Sequence, residues 1–178
     1  MKPIINKHVV EVPWLEGLID EDTLVEKYET QSFDVFDEGD KNHVLAGRHS
    51  WSGSGWIRFE SDDSITKPLF DKIDRNTQWK EPFGWFIHKY DIKEQTAIHT
   101  DKDRNAVLIY PIIPKAYTIV YMDPKDQDKE VYRHTYRCPT IINATIPHYV
   151  EDGNFKKIHF QISLFIKTDD WSKVFLCE

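Results

Sequence analysis

No apolar run in this 178-residue chain approaches the roughly 20 residues that a membrane-spanning helix requires, so no membrane association of that kind is expected. The opening residues, MKPIINKHVVEVPW, lack the apolar stretch and small-residue cleavage site of a secretory leader, and a cytoplasmic location is expected. Seven glycines and nine prolines are too few for a fibrous or disordered chain. Cysteine is scarce: Cys138 and Cys177 form no C-x-x-C pair, which excludes a cysteine zinc knuckle. Without a leader, two free thiols fit a reducing compartment better than a disulfide, although the pair leaves a disulfide open. Basic residues are also in short supply, 23 against 30 acids, for a net charge of −7. An acidic chain has no general electrostatic attraction for phosphates, which disfavours nucleic acid as a partner.

The acids are unevenly placed. Residues 11–40 carry eleven of them against the single base Lys27, a local −10 that leaves +3 on the remainder. The plain expectation for such a stretch is a solvated surface. What the chain does have is 40% hydrophobic and 13% aromatic residues, enough for one buried core and one domain over 1–178.

Two segments have helical character. Residues 20–30, IDEDTLVEKYE from Ile19 onward, offer Asp20 as N-cap and acids in the first turn. Residues 66–76 place Pro68 in a first turn and Leu69, Phe70 and Ile73 on one face. After residue 82 short β-rich runs follow one another at 84–90, 106–112, 117–122, 130–136, 140–143 and 156–166, with earlier strands expected at 7–12 and 55–60. Turn residues, among them the run 124–128, divide them. Many short strands with helices confined to the N-terminal half predict a mainly β fold, a sandwich or jelly roll with helical support. In the last run Ile158, Phe160, Ile162 and Leu164 alternate with Lys157, His159, Gln161 and Ser163. Period two gives each set its own face; the polar face either meets solvent or lines a pocket between sheets.

Two patterns carry chemistry. In IHTDKDRNAVLIYPI, residues 98–112, His99 and Asp101 are two apart and project the same way from an extended strand. About 45 residues later, in NATIPHYVEDGNFKKIHFQISLF, His148 precedes a turn and the polar-faced strand. Two imidazoles and one carboxylate make a facial triad with coordination positions left open, as non-haem iron sites require. H-x-D alone is weak, because it is also an ordinary turn pair; the combination is more specific.

With these residues in place, the region 83–166 resembles the double-stranded β-helix core of the 2-oxoglutarate/iron(II)-dependent oxygenases, in the branch of prolyl and aspartyl/asparaginyl hydroxylase-like enzymes that includes phage-type members. The resemblance covers about half the chain. It implies a cupin-like, jelly-roll core over 83–166, preceded by supporting strands and helices over 1–82 and followed by a tail over 167–178. It implies His99, Asp101 and His148 as iron(II) ligands, 2-oxoglutarate and dioxygen as co-substrates, and hydroxylation of a small-molecule or peptide substrate with release of succinate and carbon dioxide. The family usually carries an arginine or lysine on the last core strand, about ten residues beyond the second histidine, for the far carboxylate of 2-oxoglutarate. Here the arginine is missing. Lys157 meets the charge requirement and His159 the strand register. Tyr110, as a hydrogen-bond donor, and Arg104, as an anion contact, are further candidates for the co-substrate. A non-catalytic sandwich that kept the fold and a cupin-like metalloenzyme that does not use 2-oxoglutarate are the alternatives. Residues 49–56, HSWSGSGW, read either as a loop packed back on the core or as a lid. His88 and His134 read as surface or strand residues.

Overall fold

The structure is a computed structural model that describes residues 2–30, 34–35, 55–59, 64–74, 85–91, 98–101, 104–113, 115–151, 156–164 and 166. Residues 49–54 of the loop expected at 49–56, Cys177 and the tail 167–178 lie outside the described residues, whereas Gly55 and Trp56 begin a strand. In chain order the elements are β1 (Val9–Glu11), a 3-10 turn (Pro13–Leu15), α1 (Glu21–Thr30), β2 (Asp34–Val35), β3 (Gly55–Phe59), α2 (Lys67–Asp74), β4 (Trp85–Asp91), β5 (Ala106–Ile113), β6 (Thr118–Asp123), β7 (Asp126–Thr135), β8 (Thr140–Asn143), β9 (His148–Val150) and β10 (Lys156–Leu164). The fold is mainly antiparallel β with few helices, as the run of short strands predicts. Among the described residues no helix is long and apolar enough to cross a membrane.

The described strands form two sheets. Seven lie in the order β1-β8-β5-β10-β4-β3-β2, and three in the order β7-β6-β9. An isolated antiparallel bridge joins His99 to His148 and so attaches the segment around residue 99 to the free side of β9. From β4 onward the chain passes repeatedly between the sheets: β4 in the large one, the His99 segment beside β9, β5 in the large one, β6 and β7 in the small one, then β8, β9 and β10 in alternation.

Period two explains the layers. On β5, Val107 and Ile109 join Val9, Ile142, Ile119 and Tyr121 in an apolar cluster drawn from both sheets, so their inner faces pack together. The alternate residues Leu108, Tyr110 and Ile112 join Val10, Ile141, Phe160, Ile162 and Leu164 on the outer face of the large sheet. That outer face is covered by Leu15 and Ile19 of the N-terminal segment, Leu24 of α1, and Leu69 and Phe70 of α2. Each fully buried side chain of this size contributes roughly 1.5–3 kcal/mol.

Both expected helices form, and a side-chain cap places the first. Asp20 precedes α1, and its carboxylate accepts the Thr23 N–H at 3.0 Å and the Thr23 hydroxyl at 2.8 Å. The 124–128 turn is tighter than expected: Asp123 faces Asp126 across a two-residue connection, and Asp123 Oδ1 accepts the Lys125 N–H at 2.9 Å. The side-chain hydrogen bond lets the turn close within two residues, and β7 therefore begins at Asp126.

Two titratable residues depart from the surface expectation. Glu11, at the head of the acidic stretch, is 1% exposed. Arg137 grips it with two bonds of 2.7 Å, Nε to Oε1 and Nη2 to Oε2, and the Ile4 N–H adds a third at 2.7 Å. Burial works to raise its carboxyl, but these donors outweigh it and hold the group below its ordinary value. His134 is a strand residue, as expected, yet its side chain is buried with Nε2 3.9 Å from Glu11 Oε1.

Candidate metal centre

His99 and His148 are locked together by their backbones. The His99 N–H donates to the His148 carbonyl at 3.0 Å and the His148 N–H returns to His99 at 2.9 Å. Two residues on, the Asp101 N–H donates to the Ala144 carbonyl at 2.9 Å. These bonds bring residues almost fifty positions apart in sequence to one end of the strands. The imidazole centroids of His99 and His148 are 4.5 Å apart, and His99 Nε2 lies 4.0 Å from Asp101 Oδ1. The three residues expected as ligands are thus brought together.

His148 is buried, and its Nδ1 lies 2.8 Å from the Ile146 carbonyl oxygen. A carbonyl only accepts, so Nδ1 carries the hydrogen and Nε2 keeps its lone pair, the tautomer of a ligating histidine. Burial, reinforced by His99, lowers the His148 pKa to about 4, which keeps the ring neutral near pH 7. Two imidazoles, one already fixed for donation, and a nearby carboxylate are a donor set that fits iron(II) or zinc. Among the described residues no three His, Cys, Asp or Glu side chains are placed, as they stand, to hold a metal ion together. The 4.0 Å between His99 Nε2 and Asp101 Oδ1 has to shorten to roughly 3 Å for the two to take adjacent positions on one ion, as a facial triad requires.

Arg104 belongs to this cluster, but through Asp101. Its Nε donates to Asp101 Oδ2 at 2.7 Å and its Nη1 to the Ser163 hydroxyl at 2.7 Å. The anion contact expected of Arg104 is therefore made to a carboxylate of the chain itself.

Two polar residues of β10 do not face solvent. His159 and Gln161 are buried, with His159 Nε2 3.3 Å from Gln161 Oε1, and the Tyr117 ring stands 5.9 Å from that of His159. Ser163 continues the row to Arg104 and the triad. Of the two sequence alternatives for this face, a lining between the sheets is the one observed. Of Lys157 the structure describes the backbone, which pairs with Tyr90 of β4.

Tyr110 is elsewhere. It belongs to the outer cluster of the large sheet, where its hydroxyl accepts the Gly17 N–H at 2.9 Å. Burial raises its pKa to about 12. Gly17 has φ +74°, the left-handed backbone that presents its N–H there. Tyr110, expected to contact the co-substrate, is thus not brought together with His99, Asp101 and His148 in this cluster. Because β5 is apolar on both faces, alternation did not reveal which way Tyr110 points.

Sequence reasoning missed the aromatic wall. Tyr121 is fully buried, its ring is 5.8 Å from His148, and its hydroxyl donates to the His8 carbonyl at 2.8 Å. His8 in turn stacks on Tyr132 with centroids 4.6 Å apart. The alternation Tyr117, Ile119, Tyr121 in YTIVYM carried the signal that both tyrosines share a face.

No model of a known protein family matches the chain, and no curated protein matches it.

Proposed function

We propose that the chain is an iron(II)/2-oxoglutarate-dependent oxygenase built on a double-stranded β-helix, most consistent with hydroxylation of a small-molecule or peptide substrate. The observation that carries this reading is the reciprocal backbone pairing of His99 with His148, with Asp101 two residues on, beside a buried polar row on β10. The double-stranded β-helix is supported by the order β8-β5-β10-β4 in one sheet and β7-β6-β9 with the His99 bridge in the other.

His99, Asp101 and His148 would hold the metal. Bound there, iron(II) supplies the means to activate dioxygen at the expense of 2-oxoglutarate, chemistry that side chains alone do not perform. The chain's own part is positional. His148 keeps its Nε2 lone pair through the Ile146 carbonyl, and the His99 backbone is fixed to that of His148. His159 and Gln161, both buried, would offer hydrogen bonds to a carboxylate, and Lys157 would supply formal charge two residues along the same strand. The Tyr121 and Tyr117 rings close the small-sheet side.

Iron(II)-loaded protein incubated with 2-oxoglutarate and dioxygen is expected to form succinate slowly even without a prime substrate, and Asp101→Ala protein to form none. Metal-loaded protein that neither binds nor decarboxylates 2-oxoglutarate would sink this reading and leave a metalloenzyme of another kind.

A further inference from the structure

Arg104 sits just before β5, three residues beyond Asp101, and its footing is unusually well fixed. The neighbouring Asn105 side chain clasps the chain beyond β10 at two points: its Nδ2 donates to the Ile166 carbonyl at 2.6 Å and its Oδ1 accepts the Ile166 N–H at 2.7 Å. The Asn105 carbonyl also accepts the Ala144 N–H at 2.9 Å, and the Ala144 carbonyl accepts the Asp101 N–H at 2.9 Å. From this base the guanidinium reaches in two directions, to Asp101 Oδ2 and to Ser163 Oγ, both at 2.7 Å. One carboxylate oxygen is thereby occupied, and the other, Oδ1, is the one nearest His99 Nε2. Arg104 and Asp101 are both partly buried, with side chains 26% and 16% exposed, so their bond is better shielded than a surface ion pair.

We propose that Arg104 is a positioning residue: braced on Ser163, it turns the Asp101 carboxylate so that a single oxygen, Oδ1, is presented beside His99 for metal binding. The inference rests on the metal-site reading and extends it to a second layer of residues. A free carboxylate rotates and can offer either oxygen or both. The guanidinium fork removes that freedom, because its Nε and Nη1 are held at a fixed angle and both are engaged. Lysine can supply the charge but not the two-point brace. Groups of this kind behind a metal ligand are commonly worth 10–100-fold in metal affinity.

The test is titration of the full-length chain with cobalt(II) under anaerobic conditions, following the visible d–d absorption, for wild type, Arg104→Gln, Arg104→Lys and Ser163→Ala. Thermal melting of each protein without metal runs alongside. Arg104→Gln and Arg104→Lys are expected to raise the cobalt Kd at least about 10-fold and to alter the shape of the d–d bands. Ser163→Ala, which loses the brace and keeps the ion pair, is expected to raise it about 2–5-fold. Melting temperatures that fall while Kd and band shape stay at wild-type values would make Arg104 merely structural and overturn the inference. So would tighter cobalt binding in Arg104→Gln, which would make the guanidinium a competitor for the carboxylate. Absence of stoichiometric cobalt binding in the wild type would remove the metal-site reading and this inference together; equal binding in wild type and Arg104→Gln removes the inference alone.

Discussion

His99 and His148 exchange both of their backbone hydrogen bonds, at 3.0 and 2.9 Å, so the two imidazoles are set side by side by the chain itself. In an antiparallel ladder such a pair fixes register: a slip of one residue would turn one ring to the opposite face. The spacing between the histidines is thus coupled to the pairing of the small sheet, where Tyr121 faces His148 across β6 and β9.

Removal of the carboxylate separates ligation from folding. Asp101→Ala is expected to abolish stoichiometric iron binding while far-ultraviolet circular dichroism stays native, with a stability loss of about 1–3 kcal/mol from the lost Arg104 bond. Metal analysis after gel filtration checks it; unchanged iron content would take Asp101 out of the site.

Tyr110 provides the opposite case. Tyr110→Phe removes the acceptor of the Gly17 N–H and is expected to cost about 1 kcal/mol in urea unfolding. Its Kd for 2-oxoglutarate is expected to match wild type, because Tyr110 packs on the outer face of the large sheet. A Kd raised several-fold in a stably folded Tyr110→Phe protein would return the tyrosine to the co-substrate.

The buried polar face of β10 gives a third expectation. His159→Leu and Gln161→Leu are each expected to raise the Kd for 2-oxoglutarate about 10-fold or more, since each removes a hydrogen-bonding group from the interior. Lys157→Ala, measured in parallel by anaerobic calorimetry, reports the separate contribution of charge. Wild-type affinity in all three would mean that the co-substrate does not lie along β10.

Acid should weaken the fold in two stages. Burial, aided by Lys7, lowers the His8 pKa from 6.5 to about 4, and burial lowers that of His134 against the opposing pull of Glu11. The unfolded chain then takes up protons near pH 6.5 that the folded rings refuse, so stability falls as pH drops from 6.5 toward 4. Glu11, held below its ordinary 4.5, is charged in the fold after the unfolded carboxyl has become neutral, and its contribution is lost only at still lower pH. Melting temperature measured from pH 8 to pH 3 should show both limbs. His8→Asn should lessen the upper one, which His134 and His148 share, and Glu11→Gln should lessen the lower one at a cost of about 2–3 kcal/mol near neutral pH. A melting temperature flat between pH 6.5 and 4 would contradict the assignment of neutral buried rings.

The legible parts of this molecule were those governed by local rules. Asp20 announced α1 because its carboxylate answers N–H groups within one turn, and the alternation of Lys157 to Leu164 announced β10 with a polar and an apolar face. The H-x-D spacing placed His99 and Asp101 on one side of an extended segment. What escaped depends on contacts between distant residues. Glu11 reads as a surface acid until Arg137, 126 positions away, is folded against it. Tyr110 could not be oriented in a strand apolar on both faces, and β9 is three residues long, too short to carry a period. Nothing local to Arg104 reveals that its guanidinium also bonds Asp101 and Ser163.

The most direct measurement is anaerobic titration of the iron(II)-loaded protein with 2-oxoglutarate, following the visible charge-transfer absorption of the chelate. The expected result is a band that saturates at one co-substrate per iron and is absent from His99→Ala. Iron demonstrably bound at one per chain, with no band at any 2-oxoglutarate concentration, would contradict the oxygenase assignment.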